Sequence, residues 1–433
     1  MLIGLLVFML VVEAYLIICK RNLLHPIVYF FGIWIVCILF TVIDYYGSLI
    51  EITSLTKTIL ALGIGSFYIG VSMPRLKINK FGTTRSINVN AKKAPRKELY
   101  YSKSFVVALL SISLIYNLFM TFITVNLLRN NVPYSSIRDR FLSYGDNAGF
   151  FSSTFFSTFN SWISTPCTYA IAILLAIDIF KRRLGKILLS LMVIDIALFT
   201  FATSGRLLLL IFAIQIFFCL NYFQVRIPKK IKKKVGKWIL FLILALLIIT
   251  LYRNKDAADS KDHVNSIYSY FAISIPLLSR WTATVHNSDV LSGCICTLNG
   301  IWEILHYLIS KILGPFEQYT TVMDMLSLPQ ENWVNIYPNY WANAFCTMFY
   351  YFYIDLREIG VIIYSFVFGL FCKSIYRKSC ITRDERYLPL YLVIIQTIFC
   401  SFIRWQWGTF TYFVLIIIML FPFGRRIKKI KRE

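Results

Sequence analysis

The chain has 433 residues, of which 58% are hydrophobic and only 15% are charged. A soluble globular chain carries about 25% charged residues, so this composition excludes a soluble enzyme, a disordered chain and a disulfide scaffold. The formal net charge of +24 would also suit a nucleic-acid-binding protein, so the distribution of the basic residues has to be examined.

Eleven apolar runs follow one another along the chain, and most are long enough to cross about 30 Å of hydrocarbon. They are Leu2–Cys19, Leu24–Tyr45, Leu55–Met73, Ser104–Leu128, Pro166–Phe180, Ile187–Thr203, Leu207–Val225, Trp238–Tyr252, Ile359–Cys372, Leu388–Ile403 and Gly408–Phe423. We therefore predict an all-α polytopic membrane protein with about 11 transmembrane helices (range about 10–12), in which residues 1–433 form a single integral membrane domain.

Lys and Arg are concentrated in six short segments beside these runs, which hold 33 of the 45 basic residues and four of the 21 acidic ones. The segments are Lys20-Arg21, Arg75–Lys103, Lys181–Lys186, Arg226–Lys237, Lys373–Arg386 and Arg425–Glu433. They fall at alternate ends of successive runs, as the positive-inside rule requires of cytoplasmic loops. The charge pattern predicts an outer N-terminus and a cytoplasmic C-terminus. We expect membrane lipids, and no nucleic acid, as partners.

Two long segments then lie outside the membrane, a first outer loop at 129–165 and a large outer loop at 253–357. Within the second, Leu298–Leu313 predicts an amphipathic helix, with Trp302 and Ile309 on one face and Glu303 and His306 on another. We expect the large outer loop to lie on the bilayer surface and to cap the transmembrane helices.

The sequence contains no GxxxxGK[ST] loop, no HExxH and no Asp-x-Asp pair. We therefore predict no cofactor and no metal site. Most of the ten cysteines fall in apolar runs, where a thiol behaves as a small hydrophobic group. Cys294 and Cys296 are too close in sequence for an easy disulfide, so the cysteines predict no function.

Arginine is the informative residue on the outer side. Arg206 and Arg404 each fall in a short connection between two apolar runs, Arg138 lies in the first outer loop, and Arg280 lies beside Trp281 in the second. A single Arg of this kind is explained by snorkelling to lipid headgroups. Several arginines around one site would instead bind an anionic substrate in the outer leaflet, because the planar guanidinium binds phosphate oxygens bidentately.

The sequence resembles the Wzy-type oligosaccharide repeat-unit polymerases, the family of O-antigen and capsular polysaccharide polymerases. The resemblance lies in the topology with one large outer loop late in the chain, and in Thr203-Ser204-Gly205-Arg206, which is similar to the family's Gly-Arg element. The family pattern Asn…Tyr…Asp-Phe-Gly…Gly is matched by Asn343, Tyr351, Asp355 and Gly360, with Leu356 and Arg357 in place of Phe and Gly. Arg138 and Gly149 fit the family's Arg-x10-Gly spacing.

This resemblance implies a metal-independent glycosyltransferase at the outer face of the bacterial cytoplasmic (inner) membrane. The enzyme would transfer a growing glycan from undecaprenyl diphosphate to the terminal sugar hydroxyl of a new lipid-linked repeat unit, with a chain-length regulator and a flippase as further partners. We expect Arg206 and Arg280, with Arg404 and Arg138, to bind the substrate, and Asp355 or His286 to orient or deprotonate the acceptor hydroxyl. An O-antigen ligase and a lipid-linked oligosaccharide flippase remain open as alternatives.

Overall fold

The computed structural model describes residues 1–74, 96–134, 137, 154–223, 265–314, 316–338, 340–420 and 425–430. The predicted run Trp238–Tyr252 and the candidate Arg138 lie outside these residues, so both stay predictions.

The described chain is built mainly from helices, and most of the predicted runs within it begin close to the start of a helix. Thr53 and Ser102 cap two of them, since their hydroxyls accept hydrogen bonds from the backbone N–H of Thr56 and Phe105. The helices are α1 (Leu2–Ala14), α2 (Pro26–Ile43), α3 (Ser54–Ser72), α4 (Lys103–Arg129), α5 (Thr154–Phe159), α6 (Thr165–Lys181), α7 (Lys186–Thr203), α8 (Leu207–Phe223), α9 (Asn265–Ala272), α10 (Ser274–His286), α11 (Asn299–Leu313), α12 (Glu317–Glu331), α13 (Thr347–Tyr376), α14 (Leu388–Cys400) and α15 (Phe410–Leu420).

Short irregular turns of helix extend or connect these elements. They are the π-helical segments Tyr15–Cys19, Asn160–Ser164 and Arg377–Ile381 and the 3₁₀ segments Glu385–Tyr387 and Gln406–Gly408. Two small antiparallel ribbons complete the described chain, β1 (Arg96–Tyr101) with β4 (Arg425–Ile430), and β2 (Val334–Tyr337) with β3 (Tyr340–Ala342).

Within the described residues, seven helical segments are long and apolar enough to cross a membrane. They are Leu2–Cys19, Pro26–Ile43, Ser54–Ser72, Lys103–Arg129, Phe155–Lys181, Lys186–Thr203 and Thr347–Ile381. The prediction of a helical, multi-pass membrane protein is confirmed to this extent, whereas a total near eleven spans and the orientation of the termini stay predictions.

Small residues allow α3 and α13 to pack closely in the middle of the bundle. A Cβ at Gly63 would lie 2.2 Å from the Phe349 ring, and a Cβ at Gly70 would lie 2.3 Å from the Phe366 carbonyl oxygen. Gly369 faces the Phe67 carbonyl in the same way, at 2.5 Å. Close backbone approach of this kind is a usual source of stability between membrane helices, where hydrophobic burial contributes little.

The predicted amphipathic helix is confirmed as α11, and its two faces have different surroundings. Its apolar side points away from the protein, with Leu308 56% and Ile312 82% exposed. Its polar side faces inward, where Glu303 accepts a hydrogen bond from the Trp162 indole N–H at 3.0 Å and His306 stacks on Tyr319 at 4.1 Å. Burial raises the pKa of the Glu303 carboxyl. This arrangement suits a helix whose outer surface contacts hydrocarbon.

The orientation of the bundle can be tested with exposed positions at its two ends. In a cysteine-free background, Thr320→Cys in α12 should react with a membrane-impermeant maleimide added to intact cells, because Thr320 is exposed in the large outer loop. Arg182→Cys, exposed in the connection between α6 and α7, should react only after the membrane is permeabilised. The opposite pattern would reverse the predicted topology.

Candidate functional site

Helix α14 runs beside α2 but reaches only part of the way along it. The Tyr391 hydroxyl donates to the Leu24 carbonyl at 2.7 Å. Ten residues further along both segments, the Trp34 indole N–H donates to Ser401 Oγ at 3.1 Å. The two helices are therefore parallel and in register. Since α2 continues for nine residues beyond Trp34, α14 ends about 13 Å short of the end of α2.

A helical turn carries the chain from α14 to Arg404, where the backbone meets the start of α13. The Arg404 N–H donates to the Cys400 carbonyl at 3.0 Å. The N–H groups of Cys346 and Thr347 both donate to the Ile403 carbonyl at 3.0 Å, and Thr347 forms an isolated parallel bridge with Arg404. The end of α14 and the start of α13 thus form one junction inside the bundle, and Arg404 lies in it.

The first part of α13 leads away from this junction and then reverses. Leu356 and Arg357 leave helical geometry, and Arg357 has a φ of +53° and a ψ of −140°. Beyond them, a Cβ on Gly360 would lie 2.2 Å from the Phe352 carbonyl oxygen, although eight residues of straight helix would separate the two by about 12 Å. The helix is thus folded back on itself, and its first arm, Thr347–Asp355, is shorter than a membrane span.

The reversal also explains why the structure departs from the predicted run Ile359–Cys372. Helix α13 begins at Thr347, within the predicted large outer loop. The second arm, which follows Arg357, corresponds to the predicted run. The first arm was missed because its residues, Thr347–Asp355, precede a turn that sequence spacing does not reveal.

Asp355 ends the first arm and is fully buried. Its Oδ1 accepts hydrogen bonds from the Ser292 hydroxyl and from the Cys296 N–H (2.9 Å), and its Oδ2 accepts from the Thr297 N–H at 2.8 Å. The Gly293 N–H also donates to the Asp355 carbonyl oxygen at 3.0 Å. These contacts fix the loop between α10 and α11 on the reversal of α13, and they occupy both carboxylate oxygens.

Arg404 is half-buried at the junction. Gln406, two residues further on, is buried, and its side-chain oxygen and nitrogen have no hydrogen-bond partner within the part of the chain that the structure describes. A cationic group, a helix start and an unsatisfied amide therefore lie together within the bundle.

Arg206 lies at a level of the bundle similar to that of Arg404. Helix α8 runs antiparallel to α14, because Phe218 packs on Tyr391 with ring centroids 5.1 Å apart while Gln215 donates to Gln396 at 3.2 Å. Arg206 precedes Gln215 by nine residues and Arg404 follows Gln396 by eight, so each is about 12–13 Å from that contact.

The backbone turns sharply at Ser204, two residues before Arg206, and the Ser204 side chain is buried inside the bundle. Ser204 has a φ of +50° and ends α7. It is fully buried, and its hydroxyl has no hydrogen-bond partner among the described residues. Arg206 itself is half-buried at the start of α8.

Arg280 lies at a different level, beside the connection between the end of α2 and the start of α3. Its neighbour Ser279 donates to the Glu51 carbonyl at 2.9 Å and accepts from the Thr53 N–H at 3.1 Å, which places this part of α10 beside the connection between α2 and α3. Arg280 is exposed there. The structure therefore brings Arg206 and Arg404 to a similar level but places Arg280 beyond it, beside the connection between α2 and α3.

His286 lies at the reversal of α13, at the end of α10. It is exposed, and its Nδ1 lies 3.0 Å from the Tyr353 hydroxyl. Arg357 packs over the Tyr353 ring at 5.5 Å and donates through Nη2 to the Ser288 carbonyl at 2.5 Å. Its Nη1 is buried without a hydrogen-bond partner among the described residues.

Sequence reasoning did not propose Arg357 or Tyr353 for this cluster. One signal in the sequence could have pointed to Arg357, which stands where the family pattern has glycine. An arginine at a turn that favours glycine must be held there by contacts of its own.

Within the described residues, no group of three or more His, Cys, Asp and Glu side chains is arranged to hold a metal ion. Comparison with known proteins adds no further assignment, since no family model, no curated protein and no solved structure matches this chain. The roles of Arg206, Arg280, Arg404, Asp355 and His286 therefore stay predictions, to be judged by the contacts of each residue.

The contacts of Asp355 predict a structural role that can be measured. Asp355→Asn replaces one acceptor oxygen by an amide that faces the backbone N–H groups of Cys296 or Thr297, and we expect it to cost about 2 kcal/mol or more of stability. Tryptophan fluorescence of the purified protein should show a lower thermal midpoint. Asp289→Asn, at an exposed position, is the matched control and should leave the midpoint unchanged.

Proposed function

We propose that the chain is a metal-independent glycosyltransferase that polymerises undecaprenyl-diphosphate-linked oligosaccharide repeat units at the outer face of the bacterial cytoplasmic membrane. The single observation that carries this proposal is the position of Arg404, at a junction of two interrupted helices inside an apolar bundle. A charge at this depth is costly, and such residues are usually retained for a substrate.

The junction offers what a membrane-embedded diphosphate requires. The guanidinium of Arg404 supplies bidentate donors, and the start of α13 supplies the positive end of a helix dipole. Arg206, just before α8 and at a similar level, provides a second guanidinium. An isoprenoid tail would remain in the hydrocarbon while the attached sugars extend toward the outer end of the first arm.

The reaction needs a leaving group and a proton acceptor. The acceptor sugar hydroxyl attacks the anomeric carbon of the donor glycan, the bond from that carbon to the diphosphate oxygen breaks, and its electron pair passes to the diphosphate. Arg404 and Arg206 would stabilise the charge that develops there. The hydroxyl proton passes to a basic side chain.

His286 is better placed than Asp355 to be that base. The carboxylate of Asp355 is fully buried, and both its oxygens already accept hydrogen bonds. His286 is exposed, and with its Nδ1–H donated to the Tyr353 hydroxyl, 3.0 Å away, the other ring nitrogen, Nε2, is the proton acceptor. Asp355 then supports the site by fixing the reversal of α13 beneath His286 and Arg357.

A flippase for the same lipid-linked oligosaccharide is the second candidate. Interrupted helices that meet inside the membrane are frequent in transporters, and α13 with α14 have this form. Two of the acidic groups that would line a transport path are already used in packing. Asp195 accepts from Ser113 at 2.7 Å and Asn117 at 2.8 Å, and Asp178 accepts from the N–H of Arg183 at 3.0 Å.

Substitution of the two deeper arginines tests the diphosphate site. Arg404→Lys and Arg206→Lys keep the charge but lose the planar fork, so each should reduce polymer formation by about tenfold or more. The assay uses purified protein in proteoliposomes with synthetic lipid-linked repeat units, and it measures chain length on gels and transbilayer movement with a fluorescent analogue.

Arg129→Lys, at the exposed end of α4, is the matched control and should retain normal polymer. Normal chain extension by both Arg404→Lys and Arg206→Lys would exclude the diphosphate role. Transbilayer movement without extension by the natural protein would favour the flippase, and transfer to a lipid A core would favour the ligase.

The base is tested at His286. His286→Gln removes the proton acceptor while keeping a polar side chain of similar size, and chain extension should fall by about 100-fold or more with unchanged binding of the donor lipid. Tyr353→Phe, which removes only the group that orients the imidazole, should give a smaller loss. An active His286→Gln variant together with an inactive, stably folded Asp355→Asn variant would instead assign the base to Asp355.

A further inference from the structure

A second feature with a defined chemistry lies at the connection between α2 and α3. A cavity of about 490 Å³ opens there, and its lining includes the charged side chains Asp44, Glu51 and Lys57 beside the apolar Leu2 and Val42. Both helices are long and apolar enough to span a membrane. A cavity between the end of one and the start of the other therefore lies where the chain leaves the hydrocarbon.

The connection that forms this cavity is held in one shape by hydrogen bonds. Both carboxylate oxygens of Asp44 accept from the Ser48 N–H, at 2.8 and 3.1 Å. The Leu49 N–H donates to the Ile336 carbonyl at 2.7 Å, which ties the connection to β2. The charged side chains at the cavity are thus carried by a fixed segment, as a binding site requires.

Two of these charges lie at helix ends that disfavour them. Asp44 is the C-terminal cap of α2, and Lys57 is the fourth residue of α3. A helix dipole favours cations at its C-terminus and anions at its N-terminus, so neither charge is favoured by its own helix. Asp44, Glu51 and Lys57 also form no salt bridge, with one another or with any other residue that the structure describes. Both signs of charge are therefore available to a ligand.

A ligand in this cavity meets a cation, two anions and an apolar surface. Lys57 can donate to a phosphate oxygen, whereas the carboxylates of Asp44 and Glu51 can accept from an ammonium group. Apolar side chains continue from the cavity along α1 and α2, with Ile3 64% and Ile43 55% exposed. A phospholipid whose headgroup carries a phosphate and a primary ammonium group has the complementary pattern.

We propose that the cavity between α2 and α3 binds the phosphoethanolamine headgroup of a phospholipid. Lys57 is the ligand of its phosphate, and Asp44 and Glu51 accept from its ammonium N–H groups. The acyl chains lie along the exposed apolar side chains of α1 and α2. This site is separate from the junction at Arg404 and does not depend on the glycosyltransferase proposal. Its occupant comes from the leaflet that the basic segments predict to be the outer one.

The test compares two lipids bound by the full-length protein in detergent. Native mass spectrometry would measure binding of dioleoyl-phosphatidylethanolamine and, separately, of dioleoyl-phosphatidylcholine, which has the same charges and acyl chains but no N–H donors. The natural protein should bind one molecule of phosphatidylethanolamine about tenfold more tightly, because only this lipid can donate charge-assisted hydrogen bonds to the carboxylates. Equal affinity for the two lipids would overturn the site without the need for any variant.

Substitutions then separate the two halves of the headgroup. Lys57→Gln should weaken binding of both lipids by about tenfold, because both carry the phosphate. Asp44→Asn with Glu51→Gln should remove the preference for phosphatidylethanolamine. Asparagine tolerates the left-handed φ of +41° at position 44 and keeps an oxygen for the Ser48 N–H, so this change preserves the turn.

The matched controls remove the same charges from exposed positions of the large outer loop that do not line the cavity. They are Lys311→Gln for the cation and Asp289→Asn with Glu331→Gln for the anions. Both controls should bind the two lipids as the natural protein does. Equal losses in the controls would reduce the effect to general surface charge and overturn the site. Displacement of the lipid by millimolar free phosphoethanolamine would assign the cavity to the soluble headgroup instead.

Folding of each variant is checked by its elution in gel filtration and by its thermal midpoint. If the double variant is unstable, Glu51→Gln alone carries the comparison, since Glu51 is exposed and its side chain has no hydrogen bond within the described part of the chain. A stable Glu51→Gln protein should show a smaller preference for phosphatidylethanolamine. An unchanged preference in every stable carboxylate variant would overturn the proposed recognition of the ammonium group.

Discussion

The backbone hydrogen bonds between the start of α13 and the end of α14 are the interaction on which the candidate site depends. Inside a membrane every backbone N–H and carbonyl must find a partner within the protein, so a helix can stop there only if another element completes it. The N–H groups of Cys346, Thr347 and Met348 do so by donating to the carbonyls of Ile403 and Ser401. Because each helix end satisfies the other, Arg404 can be held within the bundle.

Two further constraints keep that junction in place. Trp34 on α2 fixes Ser401 through its indole N–H, and Phe349 packs against Gly63 of α3, where any side chain would collide with the ring. At the far end of the first arm, Asp355 ties the reversal to the loop that precedes α11. The arm is thus fixed at both ends, which is the rigid support that a preorganised anion site requires.

The large outer loop packs on the helices as a cap would, and its place on the bilayer surface stays a prediction. Its described parts enter the bundle, since Trp405 donates to the Thr297 carbonyl at 2.8 Å and Phe402 packs on Phe271 at 5.1 Å. The loop therefore closes the space above the shortened α14. The exposed apolar side of α11 is suited to contact hydrocarbon.

The sequence by itself determined the membrane class, the positions of most helices and the choice of Arg206 and Arg404, because hydrophobic length and misplaced charge are local properties. Only the tertiary structure decided that α14 ends within the bundle, that α13 folds back, that Arg280 lies at another level and that Asp355 is enclosed by hydrogen bonds. These features depend on which helices pack side by side, and residues such as Trp34 and Ser401, 367 positions apart, leave no local signal of their contact.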